Sequence, residues 1–357
     1  MSADLRRDAS ITNPENNTTA AVRPFAPWLA PLEPLYRSVV GLRNLAYDRG
    51  LFAVHQVDAR VLSVGNLVAG GAGKTPLTMA LAERLLAHGR RVAVILRGYR
   101  GRAEHAVTAI APGSGAQADP DVFGDEAVLI ARRVPQVLVV VGADRVRAAV
   151  RAVEEFGADT LLLDDGFQHR RLHRDVDLLL LRAPWPFGNG HCLPAGMLRE
   201  PPSSLRRAHA LVLNSTDGEL WEPLPEDLVA GRPVIEVRGR IDSMVDLCRN
   251  SLQDTSALAG KRVILVTAVA RPDSVEHTLR SLGAQVVHRE LRRDHHPWSI
   301  AELDALATTA CRLRATVVTT EKDAVKWRRK IAGSLALRLT IDVVHGGADL
   351  DRLLGLC

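Results

Sequence analysis

The stretch "VGNLVAGGAGKTP", residues 64–76, decides the fold. A short β-branched run precedes it and a helical pattern follows it, so a strand, a glycine-rich loop and a helix succeed one another. Counting back from Gly73, Lys74 and Thr75, a Walker A pattern expects its first glycine at Val68, whereas the glycines stand at Gly65, Gly70 and Gly71. In such a loop the backbone amides and the N-terminus of the next helix surround phosphate oxygens. Lys74 then reaches the β and γ phosphates, the Thr75 hydroxyl serves Mg²⁺, and Pro76 falls in the first helical turn, where its missing N–H costs little. A flexible glycine loop without a ligand is the other reading, and it leaves the strand and helix on either side unexplained.

Outward from this loop the pattern repeats. Residues 61–64, 92–96, 137–141, 160–163, 176–181 and 210–213 read as near-continuous apolar strands, with helical patterns at 74–88, 125–133 and 145–156. Strands of that kind alternating with helices predict a parallel sheet covered on both faces, a P-loop NTPase-like α/β fold. A polar, proline-rich segment at 214–233 interrupts the series. A second, smaller α/β set follows, with strands at 263–267, 285–287, 316–319 and 337–343 and helices at 273–282, 299–312 and 321–330. The expected organisation is a disordered leader over 1–25, a P-loop domain over 26–225 and a smaller α/β domain over 226–357; 357 residues exceed the usual size of one core.

Composition narrows the function classes. Hydrophobic residues make up 46% and charged residues 24%, an ordinary globular balance, and the net charge of +5 suits an anionic substrate or membrane surface. Nucleic acid calls for a denser basic stripe with stacking aromatics, and aromatic residues are only 4% of the chain, so no nucleic-acid partner is expected. Cys192, Cys248, Cys311 and Cys357 form no CxxC pair, which points to neither zinc knuckle nor disulfide framework and fits a reducing cytosol. No run approaches the ~18 apolar residues of a membrane span, and residues 1–25 hold no signal-peptide core, so an intracellular protein is expected. Leu35, Val39, Leu42 and Ala46 recur at helical spacing among Arg37, Arg43 and Arg49. This basic amphipathic helix either packs on its own domain or lies on an anionic membrane surface.

Four further stretches carry chemistry. In "TLLLDDGFQH", Asp164 and Asp165 stand at the end of a buried strand, the edge where open α/β sheets place ligands; they read as a Walker B-like metal site, or as a cap and an Asp-Gly turn. In "FGDEA", Asp125 opens a helix and is either its N-cap or a carboxylate that accepts a substrate hydroxyl proton. In "RRDHHPW", Asp294, His295 and His296 offer an Asp-His pair or surface histidines, with too few ligands for zinc; "TTEKDAVK" is a related polar cluster with Lys322 and Lys326 one helical turn apart. The loop "GNGHCLPAGMLREP" supplies Gly188, Asn189, Gly190, Arg199 and Glu200; Arg199 is either suited to hold an acceptor phosphate bidentately or forms a solvated pair with Glu200 in a surface loop.

Taken in order, "VGNLVAGGAGKTP", "LRGYRG", "GDEA", "LDDGFQHRRLHRD", "GNGHCLPAGMLREP", "DHH" and "TEKDAVK" resemble the tetraacyldisaccharide 4'-kinase family, the lipid A 4'-kinases of Gram-negative bacteria, from about Leu35 to about Lys326. The resemblance implies a P-loop kinase that uses ATP and Mg²⁺ to phosphorylate the 4'-hydroxyl of an acylated disaccharide 1-phosphate lipid, giving lipid IVA. It implies an N-terminal helix peripheral on the cytoplasmic face of the inner membrane and a smaller domain that closes over the nucleotide; a monomer is expected. Carried onto matching positions, Asp125 is the general base, His295 its partner, and Lys74 lies on the phosphates. The stretch Gly65, Asn66, Gly70, Gly71, Ala72, Gly73, Lys74, Thr75 and Pro76 binds the nucleotide. Thr75, Asp164 and Asp165 serve the metal, and Arg97, Asn189, Arg199 and Glu200 lie near substrate or phosphates. The chain departs from the family pattern at Ala127, at Met197 and in "VTAVARPDS", which lacks the usual glycines.

The glycine pair before Gly73 also fits partition- and maturation-type switch ATPases or GTPases. Those carry an extra lysine early in the loop, and residues 67–70 hold none. The "LPAGMLREP" loop is unexplained by that reading.

Overall fold

A computed structural model describes residues 26–183, 185–215, 224, 226–229 and 231–357. The expected leader, half of the proline-rich segment and residue 225 at the expected boundary lie outside the described residues. A 3-10 turn, Pro27–Leu32, leads into helix α1, Glu33–Asp48. Along its outer face Leu35, Val39, Leu42 and Leu45 are exposed, together with Trp28 and Leu32 just before it.

The first half then runs β1 (Arg60–Gly65), α2 (Lys74–Ala87), β2 (Val92–Leu96), β3 (Thr108–Ile110), α3 (Pro120–Phe123), α4 (Asp125–Arg133), β4 (Leu138–Val141), α5 (Arg145–Glu154), β5 (Thr160–Asp164), β6 (Val176–Arg182) and β7 (Ala210–Ser215). After α6 (Glu226–Val229) come β8 (Val234–Asp246), β9 (Ser251–Asp254), β10 (Arg262–Thr267), α7 (Pro272–Ser281), β11 (Gln285–Leu291), α8 (Ile300–Leu313), β12 (Thr316–Thr320), α9 (Glu321–Ala324), β13 (Leu335–His345) and α10 (Gly347–Leu354). All strands join one sheet in the order β11-β10-β12-β13-β8-β7-β6-β1-β5-β2-β4-β3, with β9 pairing β8.

β1 lies parallel between β5 and β6, with Val64 opposite Asp164, so the phosphate loop and the two aspartates leave the sheet at one edge. The central strands of the first half are largely apolar because both faces are covered. Leu62, Val64, Val94 and Leu162 pack on one side with α2 and α4, while Val61, Ile95 and Leu161 pack on the other with Ala148 and Ala149 of α5. Each such buried aliphatic side chain stabilises the fold by about 1.5–3 kcal/mol relative to exposure.

The sheet is mixed rather than parallel. β3 runs antiparallel to β4, and β8 runs antiparallel to both β13 and β9. β8 is absent from the sequence reading because only scattered positions are buried, so the stretch shows no apolar run. It joins the two halves: residues 234–238 pair with β7, and from Glu236 onward the strand pairs with β13. Helix α10 returns to the first half, where Arg84 donates two hydrogen bonds to Asp351, each 2.5 Å. The helix expected over 321–330 stops at Ala324, where the chain turns to bury Trp327 beside Trp298, ring centroids 6.4 Å apart.

Candidate active site

A cleft of about 1010 Å³ runs along the edge where β1 and β5 end. The phosphate loop and Asp164–Asp165 form one wall; Val269, Ala270, α7, β8 and β13 form the other, with Asp125, His295 and Lys322 between them. The departure from the family pattern at 268–271 falls on this second wall: Ala268 donates its N–H to Asp323 Oδ2 at 3.0 Å, and Ala270 faces Gly71.

Two glycines in the loop answer to geometry. A Cβ on Gly65 would lie 2.4 Å from the Phe167 Cβ and 2.8 Å from its backbone nitrogen, and Gly73 opens α2 at φ +93°. Lys74 turns back over its own loop: Nζ donates to Asn66 Oδ1 at 3.0 Å and lies 3.6 Å from Asp165 Oδ1. Asn66 therefore aims the lysine and does not itself line the cleft. Pro76, in the first turn of α2, does line it.

Thr75 Oγ1 donates to Asp164 Oδ2 at 2.9 Å. Burial, then the Glu126 charge, pushes the Asp164 carboxyl up to about 7 against the opposing pull of Lys74 and Thr75. Its Oδ1 is buried without a hydrogen-bond partner among the described residues. A hydroxyl and carboxylates are the hard oxygen donors that Mg²⁺ prefers, and the orphaned Oδ1 is an acceptor that such a cation satisfies. Among the described residues no cluster of three or more His, Cys, Asp or Glu is set to hold a metal, so a cation here would complete its shell from phosphate and water oxygens. Asp165 has φ +57° and accepts from Arg199 Nη1 through both oxygens at 2.8 Å. Burial would raise its carboxyl, but the Lys74 and Arg199 charges hold it below the usual range.

Across the cleft, Asp125 is the first residue of α4 and is buried; Gly124 is the N-cap, and Asp125 Oδ1 accepts from the Glu126 N–H at 3.0 Å. Its Oδ2 lies 2.8 Å from His295 Nδ1 and 4.0 Å from Lys326 Nζ. Burial alone would raise this carboxyl, yet the His295 hydrogen bond and the charges of Lys322, His295 and Lys326 hold it below the usual carboxylate range. Lys322 Nζ faces His295 Nε2 at 3.4 Å, and an ammonium only donates, which leaves the ring proton on Nδ1 and a hydrogen bond donated to Asp125. His295 sits at φ +63° with its ring edge-on to Tyr99 at 5.7 Å. His296 points away, to Glu302 at 2.9 Å.

The remaining sequence-derived residues divide. Arg97 lines the cleft, paired with Glu104 at 2.6 Å, and Arg199 lines it while engaged by Asp165. Asn189 and Glu200 do not reach the cleft wall. The Asn189 side chain accepts from the His191 N–H at 3.3 Å, and buried Glu200 accepts from Arg207 at 2.7 Å and Asn44 at 2.9 Å. Arg145, buried at the start of α5, lines the cleft and faces Asp165 and Asp164, and the sequence reading missed it. The available signal was an arginine in the first turn of a helix, where the dipole disfavours a cation. Tyr99, Gln168 and His169 also line the cleft; they lay inside the quoted motifs without an assigned role.

Comparison with known proteins agrees with this architecture. The family model described as tetraacyldisaccharide-1-P 4'-kinase matches residues 25–354. Two relatives named tetraacyldisaccharide 4'-kinase come from Anaeromyxobacter dehalogenans (strain 2CP-C), 43% identical with 90% of this chain and 87% of the relative covered, and from Geobacter sulfurreducens, 38% identical with 94% and 95% covered. A crystal structure of LpxK from Aquifex aeolicus in complex with ATP superposes with a TM-score of 0.76 at 28% identity, covering 92% of this chain and 98% of that one. The chain belongs to the tetraacyldisaccharide-1-P 4'-kinase family.

Proposed function

We propose that the chain transfers the γ-phosphoryl group of ATP directly to the 4'-hydroxyl of a tetraacylated disaccharide 1-phosphate, giving lipid IVA and ADP. One observation carries this reading: the buried Asp125–His295 pair opens onto the same cleft as Lys74 and Thr75. A hydrolytic switch needs no such base for an alcohol.

Asp125, ionised at neutral pH, accepts the proton of the sugar hydroxyl as the oxygen attacks phosphorus in line and the bond to the ADP oxygen breaks. His295 orients the carboxylate through Nδ1–H, and Lys322 holds the histidine in that tautomer. In a loose transition state little proton transfer is needed early, so positioning and charge stabilisation carry most of the rate. Lys74, oriented over the loop by Asn66 and Asp165, offsets charge on the phosphoryl oxygens, and Arg145 adds a fixed positive charge near the two aspartates. Thr75 and Asp164, with Asp165 beside them, would hold Mg²⁺, which would supply charge neutralisation to the phosphates. Arg97 and Arg199 stand at the cleft wall for anionic groups of substrate or nucleotide.

The outer face of α1, with Arg37 alongside its exposed leucines and Arg49 just past its end, suits acyl chains at the anionic cytoplasmic surface of the inner membrane. Among the described residues no helix is long and apolar enough to cross a membrane, so peripheral attachment through this face is the reading. The smaller half, residues 226–357, brings His295 and Lys322 to the base and closes over the nucleotide. ATP turnover measured with and without the acylated disaccharide tests the proposal. A kinase consumes ATP in step with lipid, and ATP hydrolysis at full rate without lipid would instead support the switch reading.

A further inference from the structure

We propose that Arg43 and Tyr36, on the inner face of α1, are positioning residues for Lys74, so that the helix whose outer face meets lipid also sets the phosphate-binding lysine. The proposal rests on the reading of the cleft as a phosphotransferase site. Two chains of contacts lead from α1 to the same ammonium group. Arg43 Nη2 donates to the Gln168 carbonyl at 2.7 Å, Gln168 Nε2 donates to the Asn66 carbonyl at 3.0 Å, and Asn66 Oδ1 accepts from Lys74 Nζ at 3.0 Å. By the second route the Tyr36 hydroxyl donates to the Arg199 carbonyl at 2.9 Å, Arg199 binds Asp165 at 2.8 Å, and Asp165 lies 3.6 Å from Lys74 Nζ.

The backbone reinforces both routes. Ala69 N–H donates to the Met197 carbonyl at 2.8 Å and Arg199 N–H to the Leu67 carbonyl at 2.7 Å, so the loop that Tyr36 touches is stitched directly to the phosphate loop. Other anchors of α1 end elsewhere. Asp48 pairs with Arg170 at 2.6 Å, and Glu33 accepts from the Cys192 N–H at 2.8 Å. If α1 were merely fastened to the body, breaking any anchor would have the same effect. If Arg43 acts through Asn66 on Lys74, its effect depends on Asn66 being present.

Titration of the full chain with ATP, in the absence of lipid, separates these cases. Arg43→Ala and Tyr36→Phe each weaken ATP binding about fivefold, the scale of one lost hydrogen bond, while Asp48→Ala leaves it unchanged. In an Asn66→Ala background, Arg43→Ala adds less than about a twofold loss. Tyr36→Phe keeps the ring and its packing, so the second route stays testable if Arg43→Ala folds poorly. Unaltered ATP affinity in both variants, an equal loss in Asp48→Ala, or full additivity of Arg43→Ala with Asn66→Ala would overturn the proposal. The readout needs no lipid, so a protein that binds ATP but phosphorylates no disaccharide would defeat the reaction assigned above and leave this result interpretable.

Discussion

His295 Nδ1 stands 2.8 Å from Asp125 Oδ2, joining two residues 170 positions apart in the chain. His295 holds a left-handed backbone, φ +63°, to make that contact, a conformation that costs a non-glycine residue about 1–3 kcal/mol unless its surroundings impose it. Asp125 belongs to the half that carries the phosphate loop and His295 to the other half. The pair therefore draws one residue from each half.

Asp125→Asn keeps the shape of the side chain and removes its basicity. Turnover of the lipid falls by roughly 10²–10⁴-fold, the usual scale for loss of a positioned base, while ATP affinity stays within about twofold. Steady-state kinetics with a parallel ATP titration checks this, and near-normal turnover would remove Asp125 from the role.

His295→Ala should shift the acid limb of the kcat–pH profile upward. Burial pushes the Asp125 carboxyl up, and the His295 hydrogen bond and charge are among the influences that hold it below the usual range. Without them the carboxylate protonates at higher pH, so activity is lost earlier as pH falls. Profiles of the native chain and the variant share Asp164, so a difference between them reports on Asp125; coincident acid limbs would count against the pairing.

Thr75→Val and Asp164→Asn each remove one oxygen donor or charge from the candidate cation site. The Mg²⁺ concentration that supports half-maximal turnover should rise on the order of tenfold in each, and chelation of divalent cations should abolish turnover in the native chain. An unchanged Mg²⁺ requirement in both variants would place the cation elsewhere.

Gly65→Ala is expected to destabilise the fold. The added methyl would sit 2.4 Å from the Phe167 Cβ and 2.8 Å from its backbone nitrogen, so the β1 end and the 165–168 turn must separate. Overpacking of this kind costs about 1–3 kcal/mol, readable as a lower denaturation midpoint in urea.

Much of the first half was legible because its signals are local. The strand, loop and helix around Lys74, and the start of α4 at Asp125, follow from periodicity and glycine placement. Strand β8 was hidden because its burial depends on β7, β13 and β9, none of them near it in a periodic pattern. The Asp125–His295 pair came from the family resemblance and not from spacing, since 170 residues carry no periodic information about a contact. Arg199, suited by sequence to a phosphate, lines the cleft and also holds Asp165, because a sequence shows a guanidinium but not the carboxylate within its reach. Arg145 escaped notice for a related reason: its neighbours Asp164 and Asp165 meet it only through the sheet.

The most direct test of the account is transfer of label from γ-labelled ATP to tetraacyldisaccharide 1-phosphate by the purified chain in detergent with Mg²⁺. The account predicts labelled lipid carrying a second phosphate at the 4' position, formed in step with ADP and lost in Asp125→Asn. Label appearing only as inorganic phosphate, at the same rate with and without the lipid, would contradict it.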